Sequence, residues 1–278
     1  MELPFWTNEQ TGYRDSWACN AAHFEKQDCY QWMAEQLRPL QPQRILDIGC
    51  GTGEGVLALL KAYSPTVISL EENGDCIRHS SETIASAGYD VEPIHRLGYE
   101  EFPDGTHLIY RSNEPIRVSR QVSLVQADVL LPDTTAFGFL EECPPFDAVT
   151  IWLMGTVMAR QTCRNLASAR IADGQNYRLR VQNRIYELAD RVLRPGGWLQ
   201  VVDRGEPPRT QPLRDDLIQG HREQAQPTSL EVFALEYREY TEPKNKGINM
   251  VASPGTSGRI ADMSTLAMFS ILSRKPAL

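Results

Sequence analysis

Short runs of apolar residues with strand character alternate along this chain with stretches of helical periodicity. Residues 44–48 (RILDI) form an apolar run that leads straight into a glycine cluster. Behind the glycines, Val56, Leu57, Leu59, Leu60 and Tyr63 fall on one side of a helix that Ser64-Pro65 breaks. TVISLE (66–71) is β-branched and ends in two acids, Glu71 and Glu72, before an Asn73-Gly74 turn. A second amphipathic helix starts at Asp75, carries Ile77 and Ile84, and stops at Gly88, a residue suited to a left-handed C-terminal cap. Strand–helix–strand–helix alternation predicts right-handed crossovers and a parallel sheet.

The pattern loosens over 89–120, where Pro93, a Pro103-Asp104-Gly105 turn and HLIY (107–110) predict an inserted β-hairpin near 92–120. Strands return at VSLVQ (122–126) and, after Pro144-Pro145, at DAVTIW (147–152). Residues 157–194 are helical in character, with a stripe at Tyr177, Val181, Ile185, Leu188 and Val192. Pro195-Gly196-Gly197 is expected to end that helix ahead of WLQVVD (198–203). A short helix near 212–221, strands at 230–237 and 265–273, and a Pro-, Gly- and Lys-rich loop over 241–263 complete the reading. Three parts of a single domain result: a helical cap (1–43, with Cys29, Met33 and Leu37 spaced by four and Pro39 as the stop), a core (44–205) and a C-terminal part of strands and a helix (206–278).

Composition narrows the class. A length of 278 residues, 41% hydrophobic and 23% charged, describes a globular domain able to bury a substantial core. No run approaches the ~20 apolar residues needed to cross a bilayer. The opening MELPFWTNEQTGYRDSW has polar and acidic residues where a secretion signal needs a basic start and an apolar run, so a cytoplasmic protein is expected. The six cysteines form no C-x-x-C pair, and no metal site is expected. A net charge of −8 disfavours non-specific attraction to nucleic acid or anionic membranes.

The strongest local signal is Asp47-Ile-Gly49-Cys50-Gly51-Thr-Gly53-Glu-Gly55. Alternate glycines let the main chain turn sharply out of a strand and approach a ligand closely. The following helix presents unpaired N–H groups and the positive end of its dipole. The register is not G-x-G-x-x-G, because the sixth residue is Glu54 counted from Gly49 and Val56 counted from Gly51. That mismatch argues against a nicotinamide- or flavin-dependent oxidoreductase.

LDIGCGTGEG resembles the first motif of the class I S-adenosylmethionine (SAM)-dependent methyltransferases, and the resemblance continues in order over roughly residues 40–205. It implies an α/β, Rossmann-like, seven-stranded mostly parallel sheet with helices on both faces. It also implies SAM as cofactor, bound by Asp47, Gly49, Cys50, Gly51 and Gly53. Glu71, with Glu72 as runner-up, stands where the family places an acid on the ribose hydroxyls. Ala127, Asp128 and Val129 stand where it reads the adenine. PPFDAVTIW (144–152) is similar to the fourth motif, and RVLRPGGWLQVV (191–202) to the helix, turn and fifth strand. Glu71 follows Asp47 by 24 positions, one helix plus one strand, whereas Asp128 follows Glu71 by 57, and the hairpin accounts for the excess.

Methyl transfer from a sulfonium needs alignment and exclusion of water more than a covalent intermediate. No catalytic residue is therefore assigned; Tyr13 and His23 in the cap are the candidates for orienting an acceptor or taking its proton. Trp152 and Met154, beyond the fourth strand, either line the acceptor pocket or pack in the core. Ile151-Trp152-Leu153-Met154 replaces the N-P-P-aromatic sequence expected for amino-nitrogen methylation, so a small-molecule acceptor comes first and a protein or RNA acceptor second. A SAM-binding partner without turnover is the rival from another class. Arg160, Arg164, Arg170, Arg178, Arg180, Arg184, Arg191 and Arg194 crowd the 157–194 segment, and either hold an anionic acceptor or form a solvated, salt-bridged face.

Overall fold

The computed structural model describes residues 3–111, 115–131, 133–155, 157–169, 174–244, 247–248 and 264–277. In chain order the elements are α1 (Pro4–Glu25), α2 (Cys29–Glu35), β1 (Arg44–Ile48), α3 (Glu54–Tyr63), β2 (Thr66–Glu71), α4 (Gly74–Ser86), β3 (Val91–Ile94), β4 (Leu97–Phe102), β5 (Gly105–Tyr110), β6 (Val122–Gln126), α5 (Thr134–Glu142), β7 (Phe146–Trp152), α6 (Gly174–Val192), β8 (Leu193–Gly205), α7 (Gln211–Ala225), β9 (Glu231–Tyr240) and β10 (Leu266–Arg274). Two 3-10 turns, Met158–Thr162 and Arg164–Ala169, precede α6.

The main sheet has the order β3-β6-β2-β1-β7-β8-β10-β9. Strands β3 to β8 in this order are parallel neighbours, and β10 runs antiparallel to both β8 and β9. Period-two alternation delivers apolar side chains to both faces. Leu46, Ile48, Ile68 and Leu70 pack with α5 and α6, while Ile45 and Val67 pack with α1 to α4. The stripe Tyr177, Val181, Ile185, Leu188 and Val192 lies in the first of these cores, at 3% exposure or less throughout.

Five details depart from the sequence expectation. The sheet has eight strands rather than seven, because β3 adds a parallel border strand beside β6. Its anchor is polar: the Glu92 carboxylate accepts the Ser119 N–H at 2.8 Å and the Ser123 hydroxyl at 2.7 Å. The hairpin is confined to β4 and β5, a separate two-stranded sheet over 97–110, narrower than 92–120. Within 157–194 only Gly174–Val192 is α-helical among the described residues. Pro195-Gly196-Gly197 lies inside β8 rather than ahead of it, and the β7–β8 register slips between Phe146 and Ala148 to accommodate it. In the cap, α2 ends at Glu35, before Leu37, although Cys29, Met33 and Leu37 are all fully buried. Most of the expected 241–263 loop lies outside the described residues.

Candidate functional site

The glycine cluster forms the turn its spacing implies. Gly49, Gly51 and Gly53 all have positive φ (88°, 51° and 104°), a region that side chains with a Cβ rarely adopt. The Gly49 N–H donates to the Leu70 carbonyl at 2.8 Å, locking the end of β1 to β2. Gly53 is the N-cap of α3.

Glu71 closes β2 beside this turn. One carboxylate oxygen accepts the Gly51 N–H at 3.2 Å and the other the Asn73 N–H at 2.9 Å. Burial, followed by the charge of Glu72, pushes its carboxyl up to about 7, against the opposing pull of the two N–H groups. Asn73 in turn caps α4 by accepting the Asp75 and Cys76 N–H groups, and its amide donates to the Gln10 carbonyl of α1.

Opposite Glu71, the chain leaving β6 brings Asp128 into the interior at 1% exposure. Its carboxylate accepts the Leu130 N–H at 2.8 Å and is ion-paired with Arg160. The Arg160 guanidinium also lies 3.2 Å from Glu72, donates to the Tyr177 hydroxyl at 2.6 Å, and sits 4.8 Å from the Tyr177 ring centroid. Burial alone would lower its pKa, yet Glu72 and Tyr177 hold it above the ordinary value, so the group is a permanent cation between two acids.

These elements enclose a crevice of about 50 Å³ at the carboxyl ends of β1, β2, β6 and β7. Of the residues singled out in the sequence, Tyr13, Gly49, Gly51, Glu71, Glu72, Ala127, Asp128, Val129, Trp152 and Met154 border it together. Four stand apart. The Asp47 carboxylate turns into the sheet and accepts the Ser69 and Thr150 hydroxyls at 2.7 and 2.8 Å. The Cys50 thiol is buried, and that burial pushes its pKa well up. Gly53 faces Ser80 of α4. His23, near the far end of α1, meets the Thr241 hydroxyl at 3.2 Å. Trp152 borders the crevice but is also a core residue: its indole N–H donates to Gln200 at 3.0 Å, and Gln200 donates to Met33 and Ser270.

Three further contributors carried no site signal in the sequence. Trp17 of α1 packs over the glycine turn, where a Cβ on Gly51 would come 2.5 Å from its indole nitrogen. Tyr177 reads as one more member of an apolar stripe, and Arg160 as one arginine among eight. Most of that arginine-rich segment is a salt-bridged surface: Arg178 pairs with Asp203, Arg184 with Glu187, Arg191 with Glu141 and Arg194 with Asp147. Arg170 lies outside the described residues. The anion-holding alternative for this segment therefore has little left to use.

Without β3, the sheet order is that of a doubly wound α/β sheet whose first strand ends in a glycine turn, with acids following the next two strands of the same half. Residues 28–137 match the family model of the methyltransferase small domain. That stretch, which carries the glycine turn, Glu71 and Asp128, is similar to this methyltransferase domain. As a fold, the chain is similar to a proposed O-methyltransferase from Klebsiella pneumoniae (16% identity, 100% of this chain and 92% of that one, TM-score 0.46). It is also similar to a SAM-dependent methyltransferase from Methanosarcina mazei (14% identity, 86% and 94%, TM-score 0.43) and to TrmN from Thermus thermophilus (12% identity, 89% and 48%, TM-score 0.45). No curated protein matches it. Among the described residues, no helix is long and apolar enough to cross a membrane, and no cluster of His, Cys, Asp or Glu is arranged to hold a metal ion.

Proposed function

We propose that the crevice binds SAM and that the methyl group passes by direct displacement to an oxygen or nitrogen of a small-molecule acceptor. The observation that carries this reading is the juxtaposition of the left-handed glycine turn with the Glu71 carboxylate at the end of the neighbouring strand.

The donor set suits the cofactor. Glu71 would accept the ribose hydroxyls through lone pairs its two N–H partners leave over, and ionised acceptors make the stronger bonds. Asp128 and the main chain of Ala127 and Val129 would face the adenine. Asp47 supports the turn from behind by tying β1 to β2 and β7. The volume does not suit it in this conformation, since small-molecule sites measure roughly 300 Å³ or more. Tyr13 and Trp17 of α1 and Met154 fill the space, so admission of the cofactor requires α1 to move outward.

The bound sulfonium supplies an activated methyl group. The protein's part is to hold the acceptor in line and exclude water, which the α1 aromatics do once they close again. Tyr13 is a poor base for the acceptor's proton in this closed conformation: burial, then the nearby Cys76, Glu71 and Glu72, raise its phenol well above the ordinary value. It is suited to donating a hydrogen bond instead. His23 lies with Thr241, away from the crevice lining. A narrow, aromatic-roofed mouth in a chain of net charge −8 supports a small acceptor over a polynucleotide.

Calorimetric titration with SAM, followed by an assay for S-adenosylhomocysteine release against fractionated metabolites, proteins and RNA, tests the reading. Binding with release on a metabolite fraction is expected. Release on protein or RNA fractions only would overturn the acceptor class, binding without release would favour a regulatory partner, and no binding would remove the site.

A further inference from the structure

A second cavity, of about 350 Å³, lies nearer the amino end of α1, between the start of α4 and the β4–β5 hairpin. Arg78, Arg96 and Arg111 border it together with His95, and among the described residues on its wall the one carboxylate is Asp75. Asp75 is already engaged, accepting the Thr11 hydroxyl and pairing with Arg78 at 2.8 Å.

The cations are placed by the fold rather than left on loose surface chains. Arg96 is 3% exposed and held by Asp133 at 2.5 Å, with its ring-facing side over Tyr110. Its backbone N–H and that of Leu97 both donate to the Gln126 side chain at 3.0 Å, which ties the hairpin to β6. Arg111 ends the hairpin, its N–H donating to the Arg96 carbonyl at 2.7 Å. Its guanidinium rests on Gly98, in the space a Cβ there would take, so this glycine makes the seat for the arginine. Among the described residues no carboxylate forms an ion pair with Arg111. Trp6 and Tyr99, buried and stacked on one another with centroids 4.1 Å apart, also border it.

We infer that this cavity is a second small-molecule site, for a phosphorylated ligand of about sugar-phosphate size. Guanidinium groups in different orientations match the three acceptor oxygens of a phosphate better than the single plane of a carboxylate. The volume is at the small end of ligand sites. The site shares α1 with the methyl-transfer crevice: Trp6, Thr7 and Gln10 face one cavity, Tyr13 and Trp17 the other. Its existence does not depend on what the crevice binds.

The test is calorimetric titration of the whole chain with ribose 5-phosphate, with citrate as the carboxylate counterpart. Saturable binding of ribose 5-phosphate is expected, weakened about tenfold or more in R111Q and in R78Q. G98A should weaken it comparably without changing any charge, by unseating Arg111. R209Q, which breaks an exposed pair with Glu239 on β9, should leave it unchanged. Circular dichroism and the unfolding midpoint establish that each variant is folded, and if G98A is not, R111Q decides. No saturable binding, binding of citrate alone, or affinity untouched by R111Q would overturn the inference.

Discussion

The guanidinium of Arg160 is closed against the carboxylate of Asp128, each about 1% exposed, with Glu72 on the same cation at 3.2 Å. Arg160 is not itself on the crevice wall. It stands behind the two acids and is the countercharge they share. Arg160→Met should therefore destabilise the fold by about 3–5 kcal/mol, because two buried carboxylates lose their countercharge. Urea unfolding checks this. If the variant remains folded, its SAM affinity should fall, since Asp128 is no longer fixed. Arg160→Lys, one point charge without the planar fork, should recover stability only in part.

Asp47 gives a contrasting expectation. Its oxygens serve Ser69 and Thr150, not the crevice. Asp47→Ala leaves two buried hydroxyls without their acceptor, at a cost of about 1–3 kcal/mol in unfolding free energy. The effect on SAM affinity should be secondary to this and smaller than that of Glu71→Gln. An affinity loss larger than Glu71→Gln with unchanged stability would contradict the placement.

Glu71 makes cofactor affinity pH-dependent. Its carboxyl titrates at about 7 in the fold and near 4.5 when unfolded. The folded state holds more protons between those values, so this group's contribution to stability is full below about 4.5 and is lost as the pH rises through 7. Ribose hydroxyls donate best to the ionised form. SAM should bind more tightly from pH 6 to pH 8, releasing a fraction of a proton at pH 6. Calorimetry in buffers of different ionisation enthalpy measures that release, and Glu71→Gln should flatten the profile.

Gly51→Ala tests the closed roof. The new methyl would come 2.5 Å from the Trp17 indole nitrogen, at a residue with φ of 51°. Both effects push α1 away from the turn. A loss of about 1–2 kcal/mol in stability is expected, with a red-shifted tryptophan emission as Trp17 gains solvent. Unchanged emission would mean that α1 does not seat on the turn.

The parts of this molecule written as local patterns were legible in the sequence. TVISLE, VSLVQ and the run ending at Trp152 are strands because β-branched residues recur where both faces are covered, and the three glycines adopt the turn their spacing implies. Strand β3 was not legible: Glu92 and Pro93 give VEPI no strand signal, and its pairing depends on Ser119 and Ser123, some thirty residues away. For the same reason Arg160 could not be told from its arginine neighbours. Its partners lie on two other loops, and only the assembled sheet brings them together. For Asp47 the motif locates the residue, while the hydroxyls on β2 and β7 decide where its carboxylate points.

Strand β3 also settles how this sheet meets its surroundings. Pro93 has no amide hydrogen to offer, and it sits in the outermost strand on that flank. A further strand laid alongside would find an interrupted ladder there, which makes that border a poor template for edge-to-edge growth. The short strand that lengthens the sheet by one is also the one that stops it.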